Sequence, residues 1–128
     1  MRYRHTDILA KKLLLYDNGL LGEDFKIVPK YYKKITKIES DTYVVEVELK
    51  LQNTAENAFP LDINVIYEST FFVSEYHSED ELKDFLNVGA IQIIFPFIRS
   101  ALNSLTGAAL LPPIILPFVD VRTFKEKK

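Results

Sequence analysis

Little in this chain could move a proton or hold a metal. Its two histidines, His5 and His77, lie in segments that read as loops or ends, and neither has another histidine or a carboxylate cluster at ligand spacing. Cysteine is absent, which excludes disulfides, thiol catalysis and thiolate metal sites. No serine stands in a nucleophile-elbow setting, and no glycine-rich loop is present to cradle phosphate. Glu79, Asp80 and Glu81 do cluster, but at the start of a helical pattern, where they complement the helix dipole. The reading is therefore no enzyme, no catalytic residue, no metal and no cofactor.

Binding chemistry is better represented. Seven Tyr and nine Phe occur without any Trp. Tyr31 and Tyr32 are adjacent, as are Phe71 and Phe72, so in a strand each pair places one ring on each face. Ile66 and Phe72 fall on a mostly polar face that also carries Glu46, Glu48, Asp62 and Glu68. Rings and aliphatic groups exposed in a groove would bind extended apolar peptide with little sequence demand. Rings covered by loops or a second subunit would be structural, and the residues alone leave both readings open. The candidate polypeptide-binding residues are Tyr31, Tyr32, Phe59, Ile66, Phe71 and Phe72.

The elements that must position them follow from periodicity. The segment Arg2 to Glu23 supports two readings: a helix capped by Thr6, or a strand through Leu13–Tyr16 ending at Asp17-Asn18-Gly19, of which the strand is preferred. Phe25, Ile27, Tyr31 and Ile35 share parity and predict a strand that Pro29 confines to an edge or a bulge, with a turn at Ser40-Asp41. Tyr43, Val45, Val47, Leu49 and Leu51 alternate with Val44, Glu46, Glu48, Lys50 and Gln52, predicting one buried face and one charged, wet face. After a turn at Asn53–Asn57, a second long strand places Phe59, Leu61, Ile63, Val65, Tyr67, Phe71 and Val73 on one face, completing an antiparallel hairpin.

The period then changes. Ser78-Glu79-Asp80-Glu81 has the spacing of a capping box, with Leu82, Phe85 and Leu86 on the apolar face of a short helix stopped by Gly89. A second helix carries Ile94, Phe97, Ile98, Ala101, Leu102 and Leu105, with Pro96 early in it and Gly107 at its C-terminal cap. The prolines of Leu111-Pro-Pro-Ile-Ile-Leu-Pro117 force an extended tail. Strands followed by helices indicate an α+β fold: an antiparallel sheet with helices packed on one face, in a single domain over residues 1–128. The net charge of −2 offers no basic footprint for nucleic acid. Met1–Asp7 lacks the apolar core of a secretory signal, and no uncharged apolar run reaches the roughly 20 residues that cross a bilayer. A cytoplasmic protein is the expectation. The outer face of the second helix carries Arg99, Ser100, Asn103, Ser104 and Thr106, a small and nearly uncharged set that suits an oligomer interface.

The run Val88-Gly-Ala-Ile-Gln-Ile-Ile-Phe-Pro-Phe-Ile-Arg99 resembles the signature of the SecB chaperone family: a glycine, an apolar stretch, then an aromatic-proline-aromatic-x-arginine motif. It continues through Leu105-Thr106-Gly107 into the proline-rich ending at Pro117, and the resemblance covers roughly Phe25 to Val121. It implies a four-stranded antiparallel sheet with helices on one side, in a homotetramer built as a dimer of dimers with the long helices sandwiched inside. It also implies an ATP-independent holding chaperone that binds unfolded precursors along apolar grooves and passes them to the SecA motor. In the family that motor docks on acidic residues of the outer sheet; the matching positions here are Asp62 and Asn64, with Glu46 and Glu48 on the same face. Asn64 stands where the family has an acid, and the chain after Val121 is too short for the family's final helix. The Leu105-Thr-Gly and Leu111-Pro-Pro wording is also similar to a subgroup that protects the antitoxin of toxin–antitoxin pairs. An assembly module that binds no clients is the alternative of another class.

Overall fold

The computed structural model describes residues 1–20 and 25–127; the remainder of the Arg2–Glu23 segment lies outside them. The described strands are β1 (Arg2–His5), β2 (Leu9–Asp17), β3 (Lys30–Glu39), β4 (Thr42–Leu51), β5 (Leu61–Ser74) and β6 (Lys125–Glu126). They form one six-stranded sheet in the order β1-β5-β4-β3-β6, with β2 also pairing with β5. The class is α+β as the sequence indicates, but the sheet has six strands rather than four. The two additions come from the ends of the sequence, where local pattern is weakest.

The N-terminal segment is strand, not helix, because both β1 and β2 lie antiparallel along one edge of β5. They are separated at Thr6, whose N–H donates to the Thr70 carbonyl at 2.9 Å while Thr70 N–H donates to Thr6 Oγ1 at 3.0 Å. β2 ends where Gly19, at φ +71°, donates its N–H to Asp17 Oδ1. β3 starts only after Pro29, which has no N–H for a ladder. It turns into β4 through Ser40-Asp41, with Asp41 at φ +60°. The loop between β4 and β5 is closed by side chains: Asn53 N–H donates to Asp62 Oδ1 and Phe59 N–H to Asn53 Oδ1.

The helical part is continuous from Glu79 to Ala108, 30 residues: α1 (Glu79–Asp84), a wide π turn (Phe85–Gly89) and α2 (Ala90–Ala108). By length and composition this helix could cross a membrane; here its apolar stripe lies on the sheet. Ser78 caps it as expected, its Oγ accepting from Glu81 N–H while Glu81 Oε2 accepts from His77 N–H. Gly89 is no stop. A Cβ there would come within 2.8 Å of the Phe85 ring, which folds across it and packs on Tyr3 and Phe71. Pro96 lies inside α2 rather than in its first turn, on the exposed face. The C-terminal cap falls three residues past Gly107: Leu110 takes φ +59°, and Leu111 and Leu110 donate to the carbonyls of Thr106 and Gly107.

Residues 111–120 then run extended along α2 as a strap, with Leu116 buried, before a 3-10 turn (Val121–Thr123) delivers Phe124 and β6 to the edge of β3. The core lies between α2 and one sheet face: Val45, Val47, Leu49 and Leu51 of β4, Ile63, Val65 and Phe71 of β5, and Ile91, Ile94, Ile98 and Leu102 of α2. Each such fully buried aliphatic or aromatic side chain contributes about 1.5–3 kcal/mol.

Candidate polypeptide-binding groove

Alternation along β3 sends Tyr31 toward the helix and Tyr32 to the opposite face, because Tyr31 pairs with Leu49 and Tyr32 with Glu48. Tyr31 is half-buried in a cluster of three rings. It stacks on Phe124 at 4.8 Å and meets Phe95 edge-on at 5.6 Å, and Phe95 and Phe124 are themselves edge-on. Its hydroxyl is buried without a hydrogen-bond partner among the described residues. Burial pushes the phenol above its ordinary range, against the pull of the Arg99 guanidinium. Arg99 itself lies over the Phe95 ring at 4.9 Å.

The strap turns this cluster into a groove. Pro29, Tyr31 and Tyr32 face Pro117, Phe118 and Val119 across a cleft of about 420 Å³, with Lys30, Thr123 and Lys125 at its rim. A second cleft of about 340 Å³ lies between the same strap and Gln92, Phe95, Pro96 and Arg99 of α2. Phe118 borders both and is 94 % exposed. The sequence analysis missed Phe118. The available signal was an aromatic beside Pro117 in an extended run, with no periodic element to bury it.

The other expected binding residues do not converge here. Phe71 is fully buried against Phe85 and beside His5. Phe59 is buried at the β4–β5 loop, and Ile66 is buried on the opposite sheet face beside Glu48. Phe72 is partly exposed on that face beneath the Arg4 guanidinium, where it lines a separate open cavity of about 800 Å³ with Met1–Arg4. Only Tyr31 and Tyr32 reach the groove, and Tyr32 has Lys50 over its ring.

The acidic face is a correction of another kind. Glu46, Glu48, Asp62 and Asn64 share one face as expected, yet it is not openly wet. Glu48 is 3 % exposed and Asn64 8 %. Asn64 Nδ2 donates to Glu48 Oε2 at 2.6 Å and to the Leu49 carbonyl at 3.2 Å. Lys127 Nζ, carried in by β6, bridges Glu46 Oε2 at 2.8 Å and Glu48 Oε1 at 3.0 Å. Burial works to raise the Glu48 carboxyl, but the Asn64 hydrogen bond and the Lys127 ammonium hold it below the usual carboxylate range. Burial likewise opposes the Lys127 charge, and the two carboxylates hold its ammonium above the ordinary lysine range. Asp62 is occupied by the Asn53 N–H.

Of the four interface candidates, Ser100, Asn103 and Ser104 are exposed on the outer face of α2, in line with Gln92, Pro96 and Gly107. Arg99 is half-buried and belongs to the groove instead.

The sheet is thus backed by one long helix and bordered by an aromatic groove, and the described residues include no cluster of potential metal ligands. Comparison with known proteins names the kind of protein. Residues 27–127 match the family model "SecB: Preprotein translocase subunit SecB". Relatives include the protein-export protein SecB of Ehrlichia ruminantium, 31 % identical over 103 residues, or 75 % of this chain and 57 % of that protein. That of Orientia tsutsugamushi (strain Boryong) is 28 % identical over 101 residues, or 78 % of this chain and 62 % of the relative. The match thus spans less than two thirds of these relatives' length. Among solved structures, the Mycobacterium tuberculosis Rv1957 SecB-like chaperone, in complex with a ChAD peptide from the Rv1956 HigA1 antitoxin, superposes with a TM-score of 0.72. It is 18 % identical, and the match covers 92 % of this chain and 91 % of that one. The chain belongs to the SecB family, whose members are chaperones rather than enzymes.

Proposed function

We propose that this protein is an ATP-independent holding chaperone of the cytoplasm. In this reading residues 1–128 form one SecB-like unit that assembles as a homotetramer, a dimer of dimers. The observation that carries the proposal is Phe118, exposed between two clefts of mixed apolar and charged lining and backed by the Tyr31–Phe95–Phe124 cluster. An unfolded segment laid along the strap could bury rings on either side of it. Each exposed ring that a client covers contributes on the order of 1–2 kcal/mol, so affinity is the sum of many weak contacts. The uncharged outer face of α2 supports the assembly reading.

The client's destination has two readings, export through SecA and the Sec pathway or protection of an antitoxin. The burial of Glu48 and Asn64, and the engagement of Glu46 and Asp62, leave few free acids on the sheet for SecA to read, which favours the antitoxin reading. The Rv1957 chaperone with its antitoxin peptide is a fold precedent for that role.

The test is suppression of aggregation of an unfolded protein, with light scattering following both aggregate and chaperone mass. Stoichiometric protection without nucleotide, weakened by Phe118→Ser with the fold intact, is the expected result. No protection by a folded protein would leave the assembly-module reading. Ser104→Glu should split the oligomer into folded protomers, whereas Leu102→Glu places a charge in the core and should unfold it.

A further inference from the structure

The net charge hides a strong segregation. Residues 26–38 contain Lys26, Lys30, Lys33, Lys34 and Lys37 and no carboxylate, and the segment that packs on this strand adds Lys125 and Lys127 on either side of Glu126. Lys30, Lys34, Lys37 and Lys125 are exposed, and none has a carboxylate partner among the described residues. Across the ladder on one side Glu46 is opposite Lys34 and Glu48 opposite Tyr32, both already held by Lys127, and on the other side the acid is Glu126, opposite Lys33. Lys30 and Lys125 stand at the rim of the groove beside Tyr31, Tyr32 and Phe118. β6 covers β3 only at Tyr32 and Lys33, and from Lys34 to Glu39 the outer edge has no strand partner among the described residues.

We infer that this edge sets which segments the groove takes: extended ones whose aromatic or aliphatic residues are flanked by Asp and Glu. The inference rests on the holding reading and adds the sign of the charge. The strand edge supplies main-chain donors and acceptors, the groove takes the apolar side chains, and the uncompensated lysines take the flanking acids. Lysines on an edge strand also serve to repel other strands. A purely protective edge would be indifferent to the charge of a bound peptide, and that difference is measurable.

The experiment uses labelled peptides with one common aromatic–aliphatic centre flanked by Glu, by Lys or by Ser, and an aromatic-free Glu peptide as a further probe. Binding is read by fluorescence anisotropy at low and high salt. Three to four exposed ion pairs predict that the Glu-flanked peptide binds roughly tenfold more tightly than the Lys-flanked one at low salt, a ratio that shrinks as salt rises. Lys30→Glu/Lys34→Glu/Lys37→Glu should reverse the order, and Lys34→Gln alone should halve the ratio or more if the triple variant does not fold. Equal binding of the flanked peptides, or preference for Lys, overturns the inference while leaving the holding reading in place. The aromatic-free peptide binding as well as the others also overturns it, since the edge would then be an unselective polyanion site. Should no peptide bind and aggregation go unsuppressed, the holding reading itself falls, and this inference with it.

Discussion

Lys127→Met is the most informative single change away from the groove. It keeps most of the side chain's length and removes the cation that bridges Glu46 and Glu48. Glu48 would stay buried with only Asn64 on one oxygen and nothing on the other. Stripping a partner from a buried pair costs about 3–5 kcal/mol. Here the cover is a strand of two residues that can lift and admit water, and the Lys127 side chain is already partly exposed. About 2 kcal/mol is the reasonable expectation, equivalent to a fall of roughly 6–12 °C in melting temperature for a chain this size. The pH dependence has a definite sign. The Glu48 carboxyl is held low, so its stabilisation is present above the usual carboxylate range and is lost as pH falls through the lowered folded value. Without the ammonium, burial is opposed only by the Asn64 hydrogen bond and Lys50, so acid destabilisation should begin at higher pH in the variant. The raised Lys127 ammonium gives an alkaline limb, lost as pH climbs through its folded value, which the variant lacks. Thermal melts between about pH 3 and 11, on Lys127→Met, Glu48→Gln and the double variant, measure both limbs and the coupling. A melting shift under about 2 °C with superimposable pH profiles would refute the reasoning.

Two further outcomes are expected. Phe71→Ser should cost about 3–5 kcal/mol and unfold much of the protein at ordinary temperature, whereas Phe72→Ser, beneath Arg4 on the partly exposed face, should cost about 1 kcal/mol; comparable losses in denaturant titrations would contradict the burial of the first ring. Leu110→Gly should raise stability by about 1 kcal/mol, because the side chain is nearly free of contacts and the backbone is left-handed. A lower midpoint in that variant would show that Leu110 has packing the cap geometry does not reveal.

What the sequence revealed depended on how near the decisive contact lay. The faces of β4 and β5 were legible because alternation is a local property, and the Ser78 cap because its partner Glu81 is three residues away. The wetness of Glu48 was misread because its cover, Lys127, arrives from the far end of the chain; parity assigns a face but not what lies over it. Gly89 reads as a stop when only its own flexibility is considered, and its role depends on the Phe85 ring folding across it. The groove was half visible. Tyr31 and Tyr32 belong to a strand pattern, whereas Phe118 sits in a strap with no period to analyse.

The wide turn at Phe85–Gly89 also sets a rule for insertions and deletions. Leu82, Leu86, Ala90, Ile94, Ile98 and Leu102 recur every four residues along the buried stripe, with Ile91 beside Ala90. An unbroken α-helix advances about 100° per residue, so each four-residue step drifts by about 40° and the accumulated drift would carry the far end of the stripe away from the sheet. The π turn absorbs one extra residue and returns the stripe to register. Loss of one residue there would swing α2 by about 100° and aim Ile91, Ile94 and Ile98 at water. The loop at residues 52–60, whose length no helical phase constrains, should accept a change of the same size. Reading frame, not composition, is what these five residues preserve.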